Sequence, residues 1–112
     1  MIIHVTTKGS STIIGSNVTI GHGAIVHACT VRDRSLIGMG SVLMDDVVVE
    51  SNALVAAGSL VTEGKRVKKG EVWAGSPAVF VRYLTKKESK FIETSSRRYQ
   101  SLAQEYKGIT SQ

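Results

Sequence analysis

The sequence is poor in cysteine, proline and aromatic residues: it has one cysteine, one proline, one tryptophan, two phenylalanines and three tyrosines in 112 residues. A lone Cys29 cannot form an intramolecular disulfide, which excludes a disulfide-stapled scaffold and fits a reducing compartment. As a residue type it reads as a small core side chain. No apolar stretch approaches the roughly 20 residues that a membrane-spanning helix requires. The start, "MIIHVTTKGS", lacks the charged beginning and long apolar middle of a secretion signal. The expectation is no membrane insertion and a cytoplasmic protein, or one in an organelle such as the mitochondrion. The net charge of +5 is concentrated in Lys65, Arg66, Lys68 and Lys69 and in Lys86, Lys87, Lys90, Arg97 and Arg98. With no stacking aromatics among them, these clusters read as solvated faces, and nucleic acid is not an expected partner.

Histidine is scarce too. The three histidines, His4, His22 and His27, all fall within the first 27 residues, and two of them stand in the apolar run "IGHGAIVHAC". What they do there depends on how that run folds.

A length of 112 residues, 42% hydrophobic and 21% charged, describes a single globular domain. Such a chain buries about two thirds of its extended surface by itself. Its dominant signal is a repeat. Val31, Ile37, Leu43, Val49, Val55, Val61 and Val67 fall six residues apart, with Ser35, Ser41, Val47, Ala53 and Ser59 in companion positions. Upstream, Ile14 and Ile20 keep the step, with Val18 and Ala24 as companions. A helix needs apolar residues every three or four positions and a hairpin needs strict alternation, so neither accounts for a period of six. Short flat strands joined by tight corners do. Three sides make a triangular coil of eighteen residues, and stacked coils rise by about 4.8 Å. Gly15, Gly21, Gly23, Gly38, Gly40 and Gly58, with Asn17 and Asn52, are read as corner residues that tolerate positive φ. The fold class expected is all-β: a parallel β-helix of three to four coils over 1–80.

The repeat ends near "GEVWAGSPA", where Pro77 removes a backbone donor. From Thr85 the period becomes helical. "TKKE" is a capping-box pattern, and Phe91, Ile92, Tyr99, Leu102, Ala103 and Tyr106 share one face. The expectation is a C-terminal α-helix over 85–107, stopped at Gly108 and packed alongside the β-helix or a neighbouring chain.

Any one histidine alone reads as a corner residue bonded to a backbone carbonyl. Three in one short segment, with none elsewhere, suggest a shared cation. His4 and His22 are eighteen residues apart, one coil, so their imidazoles could stack. Between Ile20 and Val31 the step is eleven rather than twelve, and His22 and His27 are read as flanking that slip. Five extended residues span up to about 16 Å, too far for one ion unless the chain bends sharply between them. The other solution is that a neighbouring chain supplies one ligand, which makes this apolar face a subunit contact.

The pattern [aliphatic]-Gly-x-x-[small]-x resembles the left-handed hexapeptide-repeat β-helices. More specifically, "IIHV", "TIIGSNVTIGHGAIVHAC", "LIGMGSVLMDDVVV", "VAAGSLV" and "GEVWAGSPAVFVRYLT" resemble the second half of the gamma-class carbonic anhydrases, over residues 2 to 106. The resemblance implies a homotrimer with a metal at each subunit interface. It assigns His4 and His27 from one chain and His22 from the next as ligands, in place of a His4–His22 stack, with "TTKGSST" looping out. It also implies Zn2+, with Fe2+ or Co2+ as alternatives, and reversible hydration of carbon dioxide to bicarbonate. Three neutral imidazoles and an open fourth position are the arrangement by which zinc makes water a nucleophile at neutral pH. Tyr99 aligns with a tyrosine of the relatives and is the one catalytic candidate besides the ligands.

The family's Arg-Gly-Asp and Asn-x-Gln-Asp segments upstream of the first histidine are missing, so the β-helix is read as truncated at its N-terminal end. Two other functions follow from what is present. One is a non-catalytic structural trimer subunit of a larger assembly, suggested by the missing segments and the basic helix. The other is a hexapeptide-repeat acyltransferase, suggested by "GSPA" before a basic helix but disfavoured by three histidines where such enzymes use one.

Overall fold

The computed structural model describes residues 2–4, as strand backbone, and 11–94. Thirteen short strands wind into a triangular prism among these residues. Its first face stacks β1 (Ile2–His4), β4 (Ile25–His27), β7 (Val42–Leu43) and β10 (Leu60–Val61). The second stacks β2 (Ile13–Ile14), β5 (Thr30–Val31), β8 (Val48–Val49) and β11 (Arg66–Val67). The third stacks β3 (Thr19–Ile20), β6 (Leu36–Ile37), β9 (Leu54–Val55) and β12 (Glu71–Gly75). All of these pairings are parallel. The β-helix expected from the six-residue step is present.

Its cause is visible in the burial. Each strand turns one aliphatic inward, and Val31, Ile37, Leu43, Val49, Val55, Val61 and Val67 are all fully buried. Ser35, Ser41, Val47, Ala53 and Ser59, the companions, complete the interior with small side chains. The buried hydroxyls are satisfied locally: Ser35 Oγ donates to the Arg32 carbonyl and Ser41 Oγ to the Ala56 carbonyl, both at 2.8 Å. Cys29 is 2% exposed and belongs to this core.

Two readings of the corners need correction. Val26 is also fully buried and belongs to the ladder, so the step is six from Ile20 to Val26 and five from Val26 to Val31. The missing residue therefore falls in the corner after β4, which holds His27, and His22 does not flank it. At that shortened corner Ala28 adopts φ 46°. The glycines, for their part, fall into two classes. Gly23, Gly40 and Gly58 have positive φ, as expected. Gly15, Gly21 and Gly38 do not; a Cβ on any of them would collide with the backbone of the next coil, for Gly21 at 2.5 Å from the Met39 amide nitrogen. They are required by close approach between coils. Arg34 and Asp46 take positive φ without being glycine, so the corner conformation is enforced by the stacked strands rather than by residue type.

The eighteen-residue register persists to Trp73, which pairs with Val55. The chain then reverses through Ser76–Pro77 into β13 (Ala78–Tyr83), antiparallel to β12 at the end of the third face. A helix, α1, occupies 86–94 and continues to the last described residue. Its start is the reciprocal capping box: the Thr85 amide donates to Glu88 Oε1 at 2.9 Å and the Glu88 amide to Thr85 Oγ1 at 3.1 Å. Arg82 adds a bidentate pair to the same carboxylate at 2.6 and 2.7 Å, and this contact holds the Glu88 carboxyl down at about 2. Ile92 is buried, beside the outward leucines Leu36 and Leu54 of the third face, so the helix lies against the prism. Phe91, expected on the packed face, is instead 65% exposed. Tyr99, Leu102, Ala103, Tyr106 and Gly108 lie outside the described residues.

Candidate metal centre

The first face carries the residues of interest. Alternation turns Ile25, Val42 and Leu60 outward from it, each only partly buried, so its solvent side is aliphatic. By contrast the second face presents Thr30, Val48 and Arg66 outward, and the third is partly covered by α1. The first face is thus a second apolar surface of the prism, without a helix of its own over it among the described residues.

The histidines sit around this face. His27 ends β4, and its register partner in β1 is His4. The two are 23 residues apart, five more than a regular coil, and most of "TTKGSST", expected to loop out, lies outside the described residues. Adjacent register positions place two Cα atoms on neighbouring strands, about 4.8 Å apart. His22 stands at the other edge, in the corner leading into β4, exposed to solvent. Its carbonyl accepts the Gly40 amide at 2.9 Å, which ties the corner to the coil above. His22 is not the register partner of His4. One face therefore carries His4 and His27 at one edge and His22 at the other.

Two features were not read from the sequence. Exposed methionines stand seventeen residues after each of the corner histidines: Met39, 62% exposed, after His22 and Met44, 40% exposed, after His27. An apolar groove lined by Thr19, Gly21, Leu36, Met39, Leu54 and Ala57 runs beside His22. The second feature is Asp45. Its Oδ1 makes a short contact with Nδ1 of His27. A carboxylate only accepts, so Nδ1 carries the hydrogen and donates it, which leaves the lone pair of a neutral ring on Nε2. The signal for Asp45 was the eighteen-residue offset from His27, one coil, which sequence reading applied only to His4 and His22. Beside this pair, burial pushes the Cys29 thiol up to about 11, so it remains protonated and inert at neutral pH. Among the described residues, no three His, Cys, Asp or Glu side chains of one chain converge on a point that could hold an ion.

No protein-family profile matches the chain. Mitochondrial gamma carbonic anhydrase 1 of Arabidopsis thaliana is 51% identical over 108 residues, 92% of this chain and 39% of that protein. A hexapeptide transferase family protein from Anaplasma phagocytophilum superposes with a TM-score of 0.78 at 43% identity, over 85% of this chain and 61% of that one. A putative acetyltransferase of Bacillus cereus superposes with a TM-score of 0.80 at 31% identity, over 88% of this chain and 63% of that one. The chain spans less than half the length of the curated relatives it matches. Prism, repeat and identity agree: this chain belongs to the gamma carbonic anhydrase family of hexapeptide-repeat proteins.

Proposed function

We propose that the chain forms the metal-bearing part of a gamma carbonic anhydrase, a homotrimer that hydrates carbon dioxide reversibly to bicarbonate. The ligands are His4 and His27 of one chain and His22 of its neighbour. The single observation that carries this reading is the register pairing of His4 with His27, with His22 at the far edge of the same apolar face. That separation supports a shared site, because the two edges of one prism can meet only on different chains. Contacts of one edge with a different edge are heterologous, and a threefold ring is a way for them to close. The aliphatic Ile25, Val42 and Leu60 and the two exposed methionines suit burial against a neighbour.

The donor set fits the ion. Three neutral imidazoles suit zinc, and also iron(II) or cobalt, and His27 already has the carboxylate partner that metal-bound histidines usually have. When bound there, zinc supplies a Lewis acid that makes water nucleophilic at neutral pH. The chain's own contribution is to hold the imidazoles in neutral, oriented form and to enclose the site in apolar surface. Tyr99, outside the described residues, is retained as the candidate for a catalytic role near the metal, with Tyr99→Phe as its test. The Arabidopsis relative is named mitochondrial, which supports an organellar site as much as the cytoplasm. Among the described residues no helix is long and apolar enough to cross a membrane.

The test is metal content and stopped-flow hydration of carbon dioxide on the purified chain. About one metal ion per chain and measurable hydration, both abolished in His22→Ala, are expected. Metal without hydration would instead identify a structural subunit. The names of the two solved relatives favour a second reading, acyl transfer. Acyl-coenzyme A turnover in a metal-free preparation would replace the first reading with this one.

A further inference from the structure

We propose that Asp45 is a positioning residue for His27: it fixes the imidazole as the Nδ1–H tautomer and so presents Nε2 as the coordinating nitrogen. The inference deepens the proposed function and rests on it for the identity of the ligand that Nε2 meets.

The geometry comes from the irregular coil. Val26 pairs with Leu43, seventeen residues on, whereas on the second face Val31 pairs with Val49, eighteen residues on. The corner after β7 therefore holds one residue more than the corner after β4 that it stacks on. One bond ties the two corners together, the Asp46 amide donating to the Ala28 carbonyl at 3.0 Å. The surplus residue in the upper corner lies between Leu43 and Asp46, and there Asp45 brings a carboxylate onto His27 Nδ1. The lower corner is pinned from the other side, where Thr12 Oγ1 accepts the Ala28 amide at 3.0 Å. Ala28 at φ 46° and Asp46 at φ 62° hold the two corners in matching turns. The backbone thus fixes both ends of the Asp45–His27 contact.

The contact has a chemical consequence. A neutral imidazole in water distributes its hydrogen between two nitrogens, and only the nitrogen without it can bind a metal. A carboxylate at Nδ1 removes that ambiguity, orients the ring and raises the basicity of Nε2. Both side chains keep partial exposure, 37% for His27 and 42% for Asp45, so the pair lies at the surface where a neighbouring chain would approach.

The experiment uses the full chain as wild type, Asp45→Ala and Asp45→Asn, with folding checked by circular dichroism. The tautomer of His27 is read from its ring nitrogen shifts by long-range nitrogen–proton NMR on metal-free protein at pH 8, and zinc affinity by competition with a chromophoric chelator. The expected result is Nδ1–H for wild type, a mixed tautomer for Asp45→Ala with zinc affinity about 10–100-fold weaker, and partial recovery in Asp45→Asn, whose amide oxygen can still accept. An unchanged tautomer in Asp45→Ala, or zinc affinity within twofold of wild type, overturns the inference. If wild type binds no zinc while its His27 tautomer still depends on Asp45, the metal-site reading fails and the positioning of His27 by Asp45 stands.

Discussion

Gly21→Ala is the substitution that tests most sharply how the coils hold the site. Gly21 has an ordinary backbone conformation, so alanine costs nothing there through φ. The cost is contact. A Cβ would stand 2.5 Å from the Met39 nitrogen and 2.7 Å from its Cα, both backbone atoms that no rotamer change can move aside. Ordinary contact needs about 3.5 Å, so the two corners must separate by roughly 1 Å. That strains the bonds they share: the Gly21 amide to the Ile37 carbonyl at 2.8 Å and the Gly40 amide to the His22 carbonyl at 2.9 Å. Weakening two bonds worth about 1 kcal/mol each, together with overpacking, gives an expected loss of about 2–3 kcal/mol. Gly58→Ala is the control. Gly58 has φ +69° with nothing within 4 Å of its Cβ position, so the cost there is the left-handed backbone alone, about 1 kcal/mol. Urea unfolding of both variants at equal protein concentration, compared by midpoint at constant slope, measures the difference. Gly21→Ala should also weaken zinc binding, because His22 is the next residue. A Gly21→Ala midpoint equal to or above that of Gly58→Ala would refute close coil approach as the reason for this glycine.

Other outcomes follow from the same structure. Thr85→Ala removes one half of the capping box and should lower stability by about 1 kcal/mol in thermal unfolding, with loss of helical signal at 222 nm. The Glu88 carboxyl sits at about 2 in the folded chain against an ordinary 4.5, so its contribution is present above pH 5 and is lost as the pH falls toward 2. The stability advantage of wild type over Glu88→Gln should therefore fall steadily from pH 5 and be mostly lost by pH 2 in acid titrations, and an advantage at pH 2 as large as that at pH 5 would contradict the Arg82 contact as its origin. Cys29, held near 11 by burial, should resist a thiol-specific disulfide reagent at pH 8 in the native protein and react within minutes in 6 M guanidinium; fast native reaction would show that the core is open at this corner.

Much of the fold was legible because a repeat multiplies its own signal. Seven aliphatics at one step fix which residue of every strand points inward, and the structure buries all seven. What the sequence concealed were local exceptions enforced by stacking. Val26 was hidden because the corner after it is one residue short, which moved the apparent slip onto the wrong pair of histidines. Arg34 and Asp46 gave no sign of positive φ, because propensity is a weak prior where hydrogen-bonded coils above and below dictate the backbone. Gly15, Gly21 and Gly38 were recognised as necessary but for the wrong reason, since crowding by the next coil is a tertiary property. Phe91 satisfied helical periodicity and yet faces solvent, because periodicity names a face and not what covers it. At the site, the three histidines were visible as residue types. Spacing alone pointed to His4 with His22. The pairing of His4 with His27 came only from the family resemblance, since it depends on a first coil five residues longer than a regular one, and Asp45, on the coil above, was not read.

The central claim, that one site draws on two chains, is tested most directly by mixing His22→Ala with His27→Ala protein. Each variant alone should bind no zinc, because every interface lacks a ligand. Refolded together at equal concentration, about three quarters of the trimers are mixed and each mixed trimer regains one complete interface of three, so zinc should return to about a quarter of the wild-type content. Zinc that stays absent from the mixture, or that one variant retains alone, would contradict a site shared between neighbours.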